Sequence, residues 1–226
     1  MPALTDIDAC VFDAYGTLFD VAAAAEHCQD ELGSQWAPLA QIWREKQLQY
    51  TWLRSLMGEY VPFWQITQDG LDFALATLGI ENQDLRDRLL NIYLELDAYP
   101  EVAGMLSKLK AANLKTAILS NGSPEMLESA VSNAGIGNVL DKVLSVHELR
   151  IFKPDSRVYQ MAVEDLGVSK ERICFMSSNA WDACAAANFG FRVVWVNRFG
   201  QTEERLPGQQ EFEIKNLAEL PPLFEL

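Results

Sequence analysis

Asp13 closes an apolar run, Cys10-Val11-Phe12, and opens the turn sequence Asp13-Ala14-Tyr15-Gly16-Thr17. A carboxylate at the end of a buried strand suits nucleophilic work: it is ionised at neutral pH, is a weak base, and forms an ester that water can cleave. Three further clusters carry side chains that such chemistry uses: Ser120-Asn121-Gly122, Lys153-Pro154 and Ser177-Ser178-Asn179-Ala180-Trp181-Asp182. Lys153 can set an ammonium between Asp13 and Asp182, lowering the cost of holding two carboxylates close together. Thr17 and Ser177 offer hydroxyls suited to fixing the Asp13 carboxylate, and Asn179 with Asp182 suits the orienting or activating of a water. Tyr159, in the helix after Lys153, is placed to reach the lysine or the carboxylates. Taken singly, each cluster reads as a strand-end turn or helix cap, because Asp, Asn and Ser favour those positions.

The elements that must position these groups are legible as apolar runs between turn signals. Strands are predicted at Asp8–Phe12, Thr116–Leu119, Val143–Val146, Ile173–Met176 and Val193–Val196. Helical stretches alternate with them. Glu101–Ala112 places Val102, Met105, Leu106 and Leu109 on one face, Ser123-Pro124 reads as a cap followed by a first-turn proline, and Asp155–Leu166 and Trp181–Phe189 continue the pattern. Alternation of this kind means right-handed crossovers, a parallel sheet, and ligands at the carboxyl ends of the strands. The span from Val21 to Asp97 breaks the rhythm: it reads as helical throughout, rich in Trp and Leu, with Gly33, Gly58, Gly70 and Gly79 as punctuation. The expected organisation is an α/β core of residues 1–20 and 98–226 with a helical cap of residues 21–97 over the catalytic edge.

Composition narrows the function classes. With 226 residues, 49% of them hydrophobic and 22% charged, the chain can bury a full core, and no apolar run is long enough to span a bilayer. A cytoplasmic protein without a membrane partner is expected. The net charge of −14 repels polyanions and no basic cluster offsets it, so nucleic-acid binding is not expected. Cys10, Cys28, Cys174 and Cys184 lack CxxC spacing and read as buried free thiols. His27 and His147, the two histidines, have no partners arranged for a triad or zinc site and read as surface or partly packed residues.

The order and spacing of the four clusters resemble the haloacid dehalogenase superfamily over essentially the whole chain, and in detail the L-2-haloacid dehalogenases. The likeness is carried by Tyr15, by Trp43-Arg44-Glu45-Lys46-Gln47-Leu48, and by the run from Ser177 to Asp182. Phosphatases of that superfamily usually have Asp two residues beyond the nucleophile, to protonate an alkoxide leaving group. Here that position is Tyr15, and a phenol with a reference pKa of about 10 is a poor acid near neutrality, whereas a departing halide needs no proton.

The resemblance implies a Rossmann-like parallel core with an inserted helical cap and hydrolysis of small (S)-2-haloacids to (R)-2-hydroxyacids. Asp13 would attack C2 with inversion, and water would cleave the resulting ester. Ser120 and turn N–H groups, Ala14 among them, would take the substrate carboxylate, and Arg44 with Asn121 would accept the halide. Leu48, on the Arg44 helix face, together with Tyr15, Phe63 and Trp181, would wall an apolar pocket for a short alkyl chain. Several relatives carry a neutral amide after this Arg; Glu45 here is expected to point elsewhere, since adjacent helix positions face differently. No cofactor or metal is implied, and a homodimer is expected. A magnesium-dependent phosphatase of the same superfamily stays open as a second enzyme class, and a non-catalytic small-anion binding module as a third.

Overall fold

The computed structural model describes residues 3–21 and 28–226. A parallel sheet of six strands runs in the order β3-β2-β1-β4-β5-β6, with β1 at Ala9–Phe12, β2 at Lys115–Ser120, β3 at Lys142–Ser145, β4 at Ile173–Ser177, β5 at Arg192–Val196 and β6 at Phe212–Ile214. Strands β1 and β4 are buried along their whole length, because crossover helices cover both faces of a parallel sheet. This is the reason they read in the sequence as unbroken apolar runs. The strand order reverses between β1 and β4, so a crevice opens at their carboxyl ends.

Helices α1 (Trp36–Met57), α2 (Phe63–Leu78) and α3 (Gln83–Leu94) lie between β1 and the first helix of the alternating pattern, α4 (Val102–Ala111). Further along come α5 (Pro124–Asn133), α6 (Ser156–Leu166) and α7 (Ala180–Phe189). In α1 the buried residues Leu39, Trp43, Gln47 and Thr51 recur every fourth position and form one stripe. That stripe packs on α2: the Trp43 indole donates to the Thr67 carbonyl at 2.8 Å, and Gln47 Nε2 donates to Thr67 Oγ1 at 3.0 Å.

Several expectations change here. Gly58 and Gly79 end helices in the left-handed conformation, but Gly70 sits inside α2, where a Cβ would lie 3.3 Å from the Trp43 ring. It is a close-packing residue and not a break. The span is interrupted by non-helical turns at 59–62 and 79–82. Ser123 precedes α5 in extended conformation, yet its side chain makes no capping hydrogen bond. The edge strand β6 was not expected, because three residues are too few to show alternation.

The four cysteines are buried and free. His147 is half-buried and shares a hydrogen bond with the Tyr60 hydroxyl at 3.2 Å, while His27 lies outside the described residues. Among the described residues no helix is long and apolar enough to cross a membrane.

The loop between β5 and β6 docks on α7 through Gly208, whose φ of +92° and missing Cβ allow the contact. A Cβ there would stand 2.1 Å from the Cys184 carbonyl oxygen and 2.6 Å from the Asn188 nitrogen, both backbone atoms. Gly208→Ala should therefore cost about 3 kcal/mol of stability, read as a lower urea midpoint at unchanged slope. An unchanged midpoint would mean that the loop does not rest on α7.

Candidate active site

Sheet register delivers the first group. Phe12 pairs with Ile118 on one side and Met176 on the other, so the residue after it, Asp13, emerges between the ends of β2 and β4. The Asp13 N–H extends the ladder to the Met176 carbonyl at 2.9 Å. The chain then turns sharply: the Ala14 carbonyl accepts from the N–H groups of Thr17, Leu18 and Phe19, and Gly16 takes a φ of +86°. That turn folds Thr17 back, so its hydroxyl lies 3.3 Å from Asp13 Oδ2 and accepts the Ser178 N–H at 2.8 Å.

Lys153 is 1% exposed, and its ammonium donates to Asp13 Oδ1 at 3.1 Å and to Asp182 Oδ2 at 2.8 Å. The Tyr159 hydroxyl donates to the other Asp182 oxygen at 2.7 Å. Burial works against the Lys153 charge, but the Coulombic pull of Asp13 and Asp182 outweighs it, and the lysine stands above its ordinary pKa. Burial pushes the Asp182 carboxyl up; Lys153 opposes this and Asp13 adds to it, leaving Asp182 above its ordinary value. Tyr159 is pushed well up by burial and then by the Asp182 charge, so it stays a phenol and a donor. The Lys153 loop is pinned at its backbone, where the N–H donates to Asn121 Oδ1 at 2.9 Å.

Arg44 comes from α1. Its Nη2 donates to Asn179 Oδ1 at 3.0 Å, and Asn179 Nδ2 donates to Asp13 Oδ2 at 2.8 Å, so one amide joins the guanidinium to the carboxylate. Arg44, Leu48, Asn179 and Trp181 line a cavity of about 710 Å³ beside this array. Glu45 is exposed and accepts from Gln41 at 2.8 Å, so it faces away from Arg44 as expected. Tyr15 is buried between Phe63 and Tyr93, with ring centroids 6.0 Å and 5.7 Å away. Burial, Tyr93 and then Asp13 push its phenol well above the ordinary value.

The structure thus brings Asp13, Thr17, Arg44, Lys153, Tyr159, Asn179 and Asp182 into one connected array, and ties Asn121 to it through the Lys153 backbone. Other residues sit differently from the expectation. The Ser177 hydroxyl oxygen accepts the Asn179 N–H at 3.2 Å, so it shapes the loop that carries Asn179 instead of holding Asp13. The Ser120 hydroxyl oxygen accepts the Gly122 N–H at 3.1 Å, so its own turn fixes it while its O–H can still donate. Trp181 stands edge-on to Trp52, with centroids 5.4 Å apart, and shares the cavity wall with Arg44 and Leu48. Sequence reading missed Ser178, whose hydroxyl lies 3.1 Å from Thr17 Oγ1, and Tyr93, which stacks on Tyr15. Ser178 lay inside a recognised cluster and could have been found by position; Tyr93 gave no signal beyond an apolar helix face.

Residues 7–190 match the model of the haloacid dehalogenase-like hydrolases. The chain belongs to the haloacid dehalogenase-like hydrolase family. It is 48% identical over 218 residues to (S)-2-haloacid dehalogenase 1 of Pseudomonas sp. strain CBS-3, covering 96% of each chain. Its fold is similar to a dehalogenase solved as an intermediate complex, with a TM-score of 0.95, 46% identity, and coverage of 96% of this chain and 97% of that one. It is also similar to the L-2-haloacid dehalogenase of Xanthobacter autotrophicus with chloropropionic acid covalently bound, at a TM-score of 0.90 and 38% identity over 97% and 98% of the two chains.

The raised Lys153 value means that the folded protein holds this proton more tightly than the unfolded chain does. Its stabilisation is complete below the ordinary lysine value of about 10.4 and is lost as pH rises through the raised value. Replacing it with Met leaves two buried carboxylates without their cation and should cost about 3–5 kcal/mol near neutrality. The gap between wild type and Lys153→Met, followed by urea midpoints, should narrow above about pH 10.4, where the lysine of the unfolded chain discharges while folded Lys153 still holds its proton, and should close as pH passes the raised value. It should narrow again on acidification toward the carboxylate range, where Asp182, pushed up by burial, takes up a proton. A gap independent of pH would contradict this electrostatic role.

Proposed function

We propose that this protein hydrolyses small (S)-2-haloacids to (R)-2-hydroxyacids through an ester on Asp13. The observation that carries the proposal is the Asp13 carboxylate, 7% exposed and fixed at both oxygens by Lys153, Thr17 and Asn179, with the Arg44 guanidinium attached through the Asn179 amide. A buried carboxylate held by several donors presents its oxygen in one orientation, and a cation nearby suits charge that grows on a leaving group. The covalently bound chloropropionic acid of the Xanthobacter autotrophicus relative supports the same step.

In the first step an Asp13 oxygen attacks C2 from the face opposite the halogen. The C–O bond forms as the carbon–halogen bond breaks, the halide leaves with the bonding electrons, and C2 inverts. Arg44 and the Asn121 amide nitrogen stabilise the halide, while Ser120 and N–H groups of the turns, Ala14 among them, take the substrate carboxylate. In the second step water attacks the Asp13 carbonyl carbon. The ester C–O bond on the aspartyl side breaks, the departing alkoxide takes one water proton and leaves as the hydroxyacid, the second proton is released to solvent, and Asp13 returns as a carboxylate. Asn179 and Asp182 orient the water. Tyr15, Leu48, Phe63 and Trp181 exclude solvent around the alkyl chain.

The phosphatase alternative is disfavoured by the residues themselves. Tyr15 is pushed away from useful acidity by burial, and both Asp13 and Asp182 are committed to Lys153. Four buried free thiols suit a reducing compartment such as the cytoplasm, and exposed Leu53, Leu56 and Met57 on α1 suit a second copy of the chain as a homodimer partner.

With excess chelator present, (S)-2-chloropropionate should release chloride and yield (R)-lactate, while the (R) substrate releases at most a small fraction as much. Absence of chloride from both enantiomers would sink the proposal. Asp13→Asn should lower turnover at least about 10⁴-fold with the fold intact by circular dichroism, because the amide put in its place is not a carboxylate nucleophile. Retained activity would place the nucleophile elsewhere.

A further inference from the structure

We propose that Arg198 is a positioning residue for Asp13, acting through Thr17, and that it latches the two chain crossings leading into and out of α1–α3. The inference rests on the dehalogenase reading above for its assay, though its geometry does not depend on it. After Thr17 the chain leaves the sheet, and it returns at residues 97–101. The two crossings pair directly: the Tyr99 N–H donates to the Leu18 carbonyl at 2.9 Å, the Asp20 N–H donates to the Asp97 carbonyl at 3.0 Å, and Phe19 bridges Ala98 in antiparallel fashion.

Arg198 reaches this junction from just beyond the carboxyl end of β5, two strands from β1 in the sheet. Its side chain is 8% exposed. One guanidinium nitrogen, Nη2, donates to the Thr17 carbonyl at 2.9 Å on the outgoing crossing and lies 2.7 Å from Glu101 Oε1 on the returning one. The guanidinium carbon sits 3.8 Å from the centroid of the Tyr99 ring, on the returning crossing as well. Glu101 is fixed in turn by the Leu217 N–H at 3.3 Å and stands at the start of α4. A planar cation that stacks, pairs and donates at once has a fixed position, which an ammonium on a flexible stem cannot reproduce.

The consequence reaches Asp13 because the residue whose carbonyl Arg198 holds is the residue whose hydroxyl holds the carboxylate. Thr17 Oγ1 donates to Asp13 Oδ2 and accepts the Ser178 N–H, so a shift of the Thr17 backbone changes the aim of Asp13 and the spacing of the β4 loop together. Misplacing a reacting group by an ångström can cost about 10²-fold in rate, and a partly relaxed turn should cost about 10-fold.

The test is a double-mutant cycle on kcat for (S)-2-chloropropionate, with Arg198→Met, Thr17→Val and the pair, corrected for folded fraction by urea titration. Arg198→Met alone should lower kcat about 10-fold with KM within about 2-fold of wild type, and should cost no more than about 2-fold in the Thr17→Val background. Losses that multiply would show that Arg198 only supports the fold, and an unchanged kcat in Arg198→Met would remove any role. Should Arg198→Met fail to fold, Arg198→Lys runs the same cycle and is read by the same two criteria. A wild type that releases no chloride overturns the dehalogenase reading instead, and the positioning claim is then read from the proteolysis rate of the 17–20 segment, which Arg198→Lys must raise.

Discussion

Two carboxylates that share a dry crevice repel each other and lose their hydration, and neither cost is met unless a cation stands between them. Lys153 supplies that cation, 3.1 Å from Asp13 and 2.8 Å from Asp182, in a place where it is itself almost fully buried. Burial works against the Lys153 charge; the attraction of the two carboxylates outweighs it and keeps the lysine protonated. The surrounding polar contacts follow from this arrangement. Tyr159 satisfies the remaining Asp182 oxygen, Asn121 anchors the backbone that carries the ammonium, and Thr17 with Asn179 occupies the second Asp13 oxygen. Removing the lysine would leave the other donors arranged around an unbalanced charge.

The second cation has a different origin. Arg44 stands on α1, and its place above the sheet is decided by how α1 and α2 pack, through the Trp43 indole, the Gln47 amide and the close approach at Gly70. The Asn179 amide then joins α1 to the turn after β1, accepting from Arg44 and donating to Asp13. An amide carries a donor end and an acceptor end on one planar group, which suits it to this bridge. Around the carboxylate, Tyr15, Phe63 and Tyr93 form a dry stack, and Gly122 must lack a side chain, since a Cβ there would lie 2.8 Å from the Tyr15 ring. A buried phenol in this position is a wall and not an acid.

Much of this was legible in the chain itself. The apolar runs ending in Asp13, Ser120 and Ser177 marked strand ends, because residues of a doubly covered parallel strand have no solvent face to encode. Arg44 and Leu48 were readable as neighbours on one helix face, and both line the cavity beside Asn179. What was not legible depended on partners distant in sequence. Ser177 and Ser178 are identical in type, and only the turn geometry decides that one accepts the Asn179 N–H while the other meets Thr17. Arg198 lies 181 positions from the carbonyl it holds and follows no pattern that local spacing can express. The edge strand β6 is three residues long, below the length at which alternation carries information.

The sequence by itself determined the chemical inventory and its order: a carboxylate, a hydroxyl and amide pair, a lysine and an acidic loop, each after an apolar strand. It could do so because strand ends and turns are local, and their residue types follow from backbone geometry within a few positions. Tertiary structure alone decided which atoms meet. The pairing of Lys153 with both carboxylates, the Asn179 bridge to Arg44, the stacking of Tyr93 on Tyr15 and the reach of Arg198 to Thr17 all arise from sheet register and helix packing. Those contacts join segments far apart in the chain, and their energies become available only once the whole core has closed around them.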